Sequence, residues 1–185
     1  MKQESTFMYV LRLGVTLLLI TAVVAGLLAG VNSITAPRIR AAREEKTRNA
    51  LSAVIPDAAS AQPVQEFDDQ SGVVTAVYRS DSAYAVQVAP KGFDSAINMM
   101  VGVDDAGKVL GIRVISHTET SGLGAVAAAD NAKGEAFRAQ FAGCGGGLAV
   151  TKDGGTIDAL TGATITSRAV TAGVNAAVAC VEALG

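Results

Sequence analysis

The residues best suited to chemistry lie in one short stretch, DALTGATITSRAV, which covers residues 158–170. It places Thr161, Thr164, Thr166 and Ser167 around a single glycine, and an apolar pattern of helical spacing follows. The first turn of a helix offers backbone N–H groups without partners inside the helix, together with the positive end of the helix dipole. Such a helix start favours an anion, typically a phosphate, and the later hydroxyls would add donors to it.

A simpler interpretation of this stretch is N-capping of the helix, which accounts for one or two of the hydroxyls. A phosphate-binding loop of the G-x-x-x-x-G-K-[ST] kind is excluded, because the stretch has no lysine at the required place. From the residues alone, phosphate binding and plain capping both remain open.

A second stretch with a potential for binding is SHTETSGLGA, residues 116–125. It follows a strand-like run and carries two glycines around Leu123. It is either a strand-to-helix loop with a solvated Glu119, or the second wall of a ligand site. In the second case its glycines would let the backbone approach a flat ring or a phosphate closely.

The elements that must position these stretches are strands followed by helices. Val- and Ile-rich runs predict strands within residues 73–80, 83–90 and 97–116, and DDAG at 104–107 predicts a tight hairpin turn. An Ala-rich helix is expected over 125–141, and the glycine run GCGGG then forms a loop.

Short strands are expected around DGG within residues 148–160, and a helix over 167–184 ends the chain. That last helix should pack on the core, because its apolar residues have helical spacing: Val170, Val174, Ala177, Val178, Val181 and Leu184. The sequence thus predicts an α+β domain over residues 61–185, with a mostly antiparallel sheet and flanking helices.

The N-terminal part predicts a membrane anchor. Residues 13–31 are a run of 19 mostly apolar residues without charge, which as a helix spans roughly 28 Å, about the hydrocarbon core of a bilayer. The run is longer than the core of a signal peptide, and no A-x-A cleavage site follows it. We expect a short tail over 1–12, a transmembrane helix over 13–31, and a charged amphipathic stalk over 32–60 with its helix ended by Pro56.

The flanking charges alone do not decide which side of the membrane the domain occupies. Lys2 and Arg12 precede the apolar run, and five basic residues follow it by position 48: Arg38, Arg40, Arg43, Lys46 and Arg48. The positive-inside rule would place the C-terminal domain in the cytoplasm, but long domains translocate largely regardless of flanking charge.

Charge and composition argue against two classes of function. From Asp57 onward there are 14 acidic and 8 basic residues, and the chain has no tryptophan, which argues against nucleic-acid binding. Cys144, Cys180 and the lone His117 lack metal-ligand spacing, so no zinc or iron–sulfur site is expected. We expect the cysteines to be two separate thiols, with Cys180 buried on the last helix, in preference to a disulfide.

Both stretches resemble motifs of the FMN-binding domain family. DALTGAT fits the flavinylation motif D-x-x-[ST]-G-A-T, and SHTETSGLG resembles the loop H-x-E-T-P-G-L-G, with Ser121 in place of the usual proline. Together with the single N-terminal apolar run, the chain resembles the G-subunit family of Rnf ion-translocating electron-transport complexes. The related C-subunit family of the sodium-pumping NADH:quinone oxidoreductase is the nearest alternative.

The resemblance implies a covalent cofactor site. Thr164 would form the ester with the phosphate of FMN, and Ser121 would loosen the loop that lies against the flavin. The remaining implied contacts are Asp158, Thr161, Gly162, Ala163, Ile165 and Thr166 in and after the motif, and Glu119, Thr120, Gly122, Leu123 and Gly124 in the loop.

The resemblance also implies a function and partners. The chain would relay electrons through FMN in a membrane complex that couples ferredoxin and NAD oxidoreduction to ion translocation, and would not be catalytically complete alone. Its partners would be the other subunits and a flavin transferase that uses FAD, with the domain on the extracytoplasmic side. A membrane-anchored FMN-binding sensor, or an anchored structural domain in which TGAT only caps a helix, are the other interpretations.

Overall fold

A computed structural model of the chain describes residues 6–184 and divides into two compact units that meet between Glu45 and Lys46. The first helix, α1, runs without interruption over Thr6–Val54 and includes Pro37. It ends two residues before Pro56, as expected, because the residue before a proline is disfavoured in helical conformation. The predicted transmembrane segment and most of the predicted stalk are therefore one helix.

The N-terminal part of α1 has an apolar surface. Its large apolar side chains between residues 13 and 31 are each at least 50% exposed. The helix is long and apolar enough to cross a bilayer. Exposed aliphatic side chains around the whole circumference are typical of a helix that is surrounded by lipid.

The second unit contains a five-stranded antiparallel sheet in sequential order. The predicted hairpin is confirmed: its turn follows Asp104, whose carboxylate accepts hydrogen bonds from the N–H groups of Ala106 and Lys108. Gly107 has a φ of +73° there, which a residue without Cβ adopts readily. The strands are β1 Gln62–Pro63, β2 Val74–Arg79, β3 Ala83–Val88, β4 Asn98–Asp104 and β5 Val109–Ser116.

Both faces of the sheet are covered. On β4, Met99, Val101 and Val103 belong to the main core, while Met100 belongs to a second cluster on the other face. The main core is covered by the last helix, α3, which spans Thr164–Leu184 and buries five of the six apolar positions predicted for it: Val170, Val174, Ala177, Val178 and Val181.

The second cluster joins the end of α1 to the sheet. Ala50, Val54 and Ile55 are buried against Ala83, Ala85 and Met100. Gly102 permits this contact, because a Cβ at this position would lie 2.1 Å from the carbonyl oxygen of Val54. The compact unit thus begins at Lys46, before the predicted domain start at residue 61.

Three predicted elements differ from the structure. The helix predicted over 125–141 is split into a 3₁₀ helix at Gly124–Ala128 and α2 at Ala132–Ala139, because Ala129 is extended and Asn131 caps the N–H of Gly134. The strands predicted around DGG are reduced to one bridge between Val150 and Ile157. The last helix begins at residue 164 instead of 167.

The two cysteines are separate thiols, as expected. Cys180 is buried, and burial raises the pKa of its thiol, with Asp69 and Asp68 adding to the shift. Cys144 is half-buried and its thiol donates to the carbonyl oxygen of Gln140 at 3.3 Å.

In the folded protein we expect Cys144 to react with a maleimide at least about tenfold faster than Cys180, because the thiolate is the nucleophile and burial disfavours it. Peptide mapping after timed labelling near neutral pH measures both rates. After denaturation without reductant, two labels per chain are expected, and fewer than two would contradict the absence of a disulfide.

Candidate functional site

A cleft of about 340 Å³ lies in the second unit, between the start of α3, the loop after β5 and the loop between β3 and β4. It brings together nine of the twelve residues predicted for the site: Glu119, Thr120, Leu123, Gly124, Gly162, Ala163, Thr164, Ile165 and Thr166. Phe93 and Lys152, which the sequence did not single out, complete its lining.

Thr164 is the first residue of α3, half-buried, with its hydroxyl at the cleft. The first hydrogen bond of helical spacing at this end joins the N–H of Ser167 to the carbonyl oxygen of Ala163, at 3.0 Å. The N–H groups of residues 164–166 therefore precede the helical ladder, as in any first turn. Since the helix starts earlier than predicted, the hydroxyl lies within this turn, where the dipole favours an anion.

The hydroxyls of Thr166 and Ser167, which the sequence suggests as further phosphate donors, donate to acceptors within the protein. The hydroxyl of Thr166 is buried and donates to Oε2 of Glu119 at 2.5 Å. The hydroxyl of Ser167 donates to the carbonyl oxygen of Ala163 at 2.9 Å and accepts from the N–H of Leu160 at 3.0 Å. Of these three hydroxyls, Thr164 is the one left for chemistry in the cleft.

Glu119 connects the three segments of the cleft and is not solvated. Its side chain is buried, and Oε1 accepts from the N–H groups of Phe93 at 2.9 Å and Asp94 at 3.3 Å. Its other oxygen accepts from Thr166. A buried carboxylate needs such partners, because leaving it without them is costly. Glu119 thus fixes the loop after β5 to α3 and to the loop before β4.

Ser121 does not prevent the loop from forming its turn. The N–H of Leu123 donates to the carbonyl oxygen of Thr120 at 3.2 Å, so Ser121 and Gly122 are the central turn residues. Gly122 has a φ of +76°, the value that a type II turn requires at its third position. Ser121 occupies the second position, where a proline would set φ in advance.

Leu123 lines both this cleft and a second one of about 750 Å³. Gly162 has a φ of +76°, and a Cβ there would lie 2.9 Å from Cδ2 of Leu123. Asp158, Thr161 and Gly122 line the second cleft, so these three predicted residues are not part of the lining of the first cleft.

The backbone of Asp158 is held independently of its side chain. Its N–H donates to Oε1 of Gln140 at 2.7 Å, and its carbonyl oxygen accepts from Nε2 of the same residue at 3.2 Å. The side chain of Asp158 is exposed. The motif's acidic residue is therefore presented at the surface.

Two residues of the cleft, Phe93 and Lys152, were not predicted from the sequence. Phe93 is 64% exposed at the cleft, and Nζ of Lys152 donates to Oγ1 of Thr164 at 3.0 Å. Lys152 precedes Asp153, which forms an ion pair with Arg168 of α3, a contact between distant residues that the sequence does not reveal. No pattern in the sequence indicates that Phe93 faces the cleft.

The ion pair next to Lys152 is bidentate. Arg168 donates from Nε and Nη2 to the two carboxylate oxygens of Asp153, at 2.7 and 2.6 Å. The hydrogen bond from Arg168 lowers the pKa of Asp153, and the same bond raises the pKa of Arg168. Among the described residues, no group of three His, Cys, Asp or Glu side chains is placed to hold a metal ion.

Two family models match the chain. The FMN-binding domain covers residues 92–179, and the RnfG N-terminal region covers residues 1–54. The first match includes the whole cleft, and the second includes all of the described part of α1.

The curated relatives include G subunits of ion-translocating complexes from several organisms. The G subunit of the ion-translocating oxidoreductase complex of Methanosarcina acetivorans is 33% identical over 178 residues, which is 91% of this chain and 93% of the relative. The protein of the same name from Pseudomonas aeruginosa is 34% identical, covering 90% of this chain and 86% of its own length.

A third relative is the G subunit of the proton-translocating ferredoxin:NAD(+) oxidoreductase complex of Clostridium ljungdahlii. It is 46% identical over 100 residues, 52% of this chain and 51% of its own length. The two longer matches cover nearly the whole chain and agree with both family models. The chain therefore belongs to the G-subunit family of ion-translocating oxidoreductase complexes.

Proposed function

We propose that this chain is the electron-carrying subunit of an Rnf-type membrane complex, in which it relays electrons through FMN while ferredoxin and NAD oxidoreduction drives ion translocation. Family membership and the name of the Clostridium ljungdahlii relative support this assignment. The single apolar helix makes the chain a single-pass membrane protein. The observation that carries the proposal is the hydroxyl of Thr164, which closes the TGAT motif at the cleft.

The cleft suits the two ends of a flavin mononucleotide. Around Thr164, the free N–H groups of the first turn and the ammonium of Lys152 offer donors to a phosphate. Phe93, Leu123 and Ile165 offer exposed apolar surface for a flat ring, at 64%, 43% and 49% exposure. The volume of the cleft lies within the range of cofactor sites, about 300 to 1,000 Å³.

We further propose that FMN is attached covalently through its phosphate to Oγ1 of Thr164, by a separate flavin transferase that uses FAD. In that transfer the bond between Oγ1 and the FMN phosphorus forms, the bond within the diphosphate of FAD breaks, and AMP leaves. The proton of the Thr164 hydroxyl goes to a base of the transferase. The family motif and the position of this hydroxyl support the linkage.

When bound, the isoalloxazine ring supplies the electron transfer, and the protein supplies position and electrostatics. Glu119 would keep the cleft in shape for the ring, since it accepts hydrogen bonds from both Phe93 and Thr166. The apolar side chains at the cleft would exclude water from a bound ring. The first turn of α3 holds the negative charge of the phosphate.

We also propose that the FMN domain lies on the extracytoplasmic side. The family resemblance supports this side, whereas the basic residues after the membrane segment favour the opposite one. A membrane-impermeant maleimide added to intact spheroplasts should label Cys144. Labelling that appears only after lysis would place the domain in the cytoplasm.

The proposed function is tested by producing the chain with a flavin transferase and with the neighbouring membrane subunits. Intact-mass spectrometry should show a gain of one FMN less one water, and the chain should copurify with multi-helix membrane proteins. Flavin without copurification would favour the sensor interpretation. A chain without flavin would favour the structural one.

Asp158 gives a separate prediction, since its exposed side chain is part of the motif. Asp158→Ala should change the free energy of unfolding by less than about 0.5 kcal/mol, because Gln140 holds only its backbone. The same variant should carry little covalent FMN, as measured by in-gel fluorescence. Normal flavin content with a large loss of stability would instead assign Asp158 a structural role.

A further inference from the structure

We propose that Lys152 is a positioning residue for the flavin phosphate. Its ammonium group would pair with the phosphodiester on Thr164 and would stabilise the negative charge that builds there during flavin transfer. This inference rests on the proposed function, because it requires FMN at Thr164.

The contact that supports this role is already present in the unmodified chain. Nζ of Lys152 lies 3.0 Å from Oγ1 of Thr164, the atom that would carry the phosphorus. Once the ester has formed, the unesterified phosphate oxygens lie two bonds from Oγ1 and within reach of the same ammonium. Lysine has three N–H donors on a flexible side chain, so it can keep its hydrogen bond to Oγ1 or donate to a phosphate oxygen instead. Hydrogen bonds between charged groups are the strong ones.

The segment that carries Lys152 is fixed to the start of α3. Lys152 is the middle residue of a 3₁₀ turn over Thr151–Asp153, and the N–H of Thr151 donates to the carbonyl oxygen of Ile157 at 2.8 Å. The next residue, Asp153, forms its bidentate ion pair with Arg168, one turn along the helix from Thr164. This ion pair joins the residue next to Lys152 to the first turns of α3.

The same ion pair leaves Lys152 available for a phosphate. The nearest acid in sequence, Asp153, directs both carboxylate oxygens to Arg168. The first turn of α3 contains no acidic residue. Among the described residues that line the cleft, Lys152 is the only cation.

A cation beside Thr164 offsets the net negative charge of the domain, which is unfavourable for a phosphate. From Asp57 onward the chain has 14 acidic and 8 basic residues, so the field of the domain opposes a phosphate. Flavin transfer leaves a negatively charged phosphodiester whose non-bridging oxygens lie beside Oγ1, while the electron pair of the broken diphosphate bond leaves with AMP. Fixed positive charge at the place where negative charge develops stabilises the transition state.

The experiment measures flavin transfer to the purified full chain in detergent, with a flavin transferase and FAD. Lys152→Met should lower kcat/KM for covalent incorporation about tenfold, which corresponds to about 1.4 kcal/mol. Lys152→Arg should restore the rate to within about threefold of the wild type, because it restores the charge. The matched control is Lys133→Met, since this exposed lysine lines only the second cleft.

A second readout does not depend on transfer rates. In fully flavinylated protein, Lys152→Met should shift the ³¹P resonance of the phosphodiester, and Lys133→Met should leave it in place. Wild-type kcat/KM with an unchanged ³¹P resonance in Lys152→Met would overturn the inference while leaving the FMN site intact. A loss of thermal stability that Lys152→Arg does not restore would also overturn it. A wild-type chain that accepts no flavin would overturn the proposed function itself.

Discussion

Thr164→Val is expected to leave the protein folded and to remove covalent FMN completely. Valine has nearly the shape of threonine, and Thr164 is half-buried, so the fold loses only its hydrogen bond with Lys152. We expect the free energy of unfolding to change by less than about 1 kcal/mol. Intact-mass spectrometry and in-gel fluorescence after denaturation measure the covalent flavin.

The structure determines which controls suit this substitution. Thr161→Val is unsuitable as a control, because Thr161 occupies the [ST] position of the motif although it lines the second cleft. Thr164→Ser retains the hydroxyl and should be modified. Thr166→Val is unsuitable, because its hydroxyl is bonded to Glu119 and its loss would disturb the loop. Fluorescence that persists in Thr164→Val would show that another residue carries the ester.

Glu119→Ala should have the largest effect on stability among the site residues. It removes the acceptor of three hydrogen bonds and leaves the N–H groups of Phe93 and Asp94 without their partner. Each unsatisfied buried group costs roughly 1–3 kcal/mol, and partial hydration of the exposed loop reduces the sum. We expect a loss of about 3 kcal/mol, which corresponds to a fall in Tm of roughly 10 °C.

Glu119→Gln is the matched control. Its amide oxygen can still accept from the two N–H groups, and its NH₂ group can donate to the hydroxyl oxygen of Thr166. This variant should lose no more than about 1 kcal/mol, and calorimetry of both variants without flavin measures the difference. Equal losses in the two variants would mean that the charge of Glu119, and not its hydrogen-bond geometry, stabilises the loops.

The sheet and the last helix could be predicted because their signals are local. The strands follow from Val- and Ile-rich runs such as AYAVQV, which becomes β3, and the hairpin follows from the turn residues of DDAG. On α3 the helical spacing of the apolar residues also gave the correct buried face. The start of that helix was placed three residues late, since boundaries depend on hydrogen bonds that residue types do not fix.

The parts that escaped prediction depend on contacts between distant residues. Lys152 meets Thr164 through the tertiary fold, in a segment whose next residue, Asp153, pairs with Arg168, 15 positions along the chain. Thr166 looked like a phosphate donor, but a buried carboxylate 47 residues earlier takes its hydroxyl. The Ala-rich segment looked like one helix. In the structure a new helix, α2, starts after Asn131, because the asparagine side chain accepts a hydrogen bond from the backbone of the first turn and asparagine favours such a cap over a position inside a helix.

The contact between the end of α1 and the sheet decides where a water-soluble fragment of this protein can begin. A fragment that starts at residue 46 keeps Ala50, Val54 and Ile55 on the sheet face of Ala83, Ala85 and Met100. A fragment that starts at residue 61, the domain start predicted from the sequence, lacks these three residues. It leaves the apolar surface that contains Met100 exposed to water. Such surfaces promote self-association. Fragments cut on either side of Val54 should therefore differ in solubility although both retain the entire cleft around Thr164.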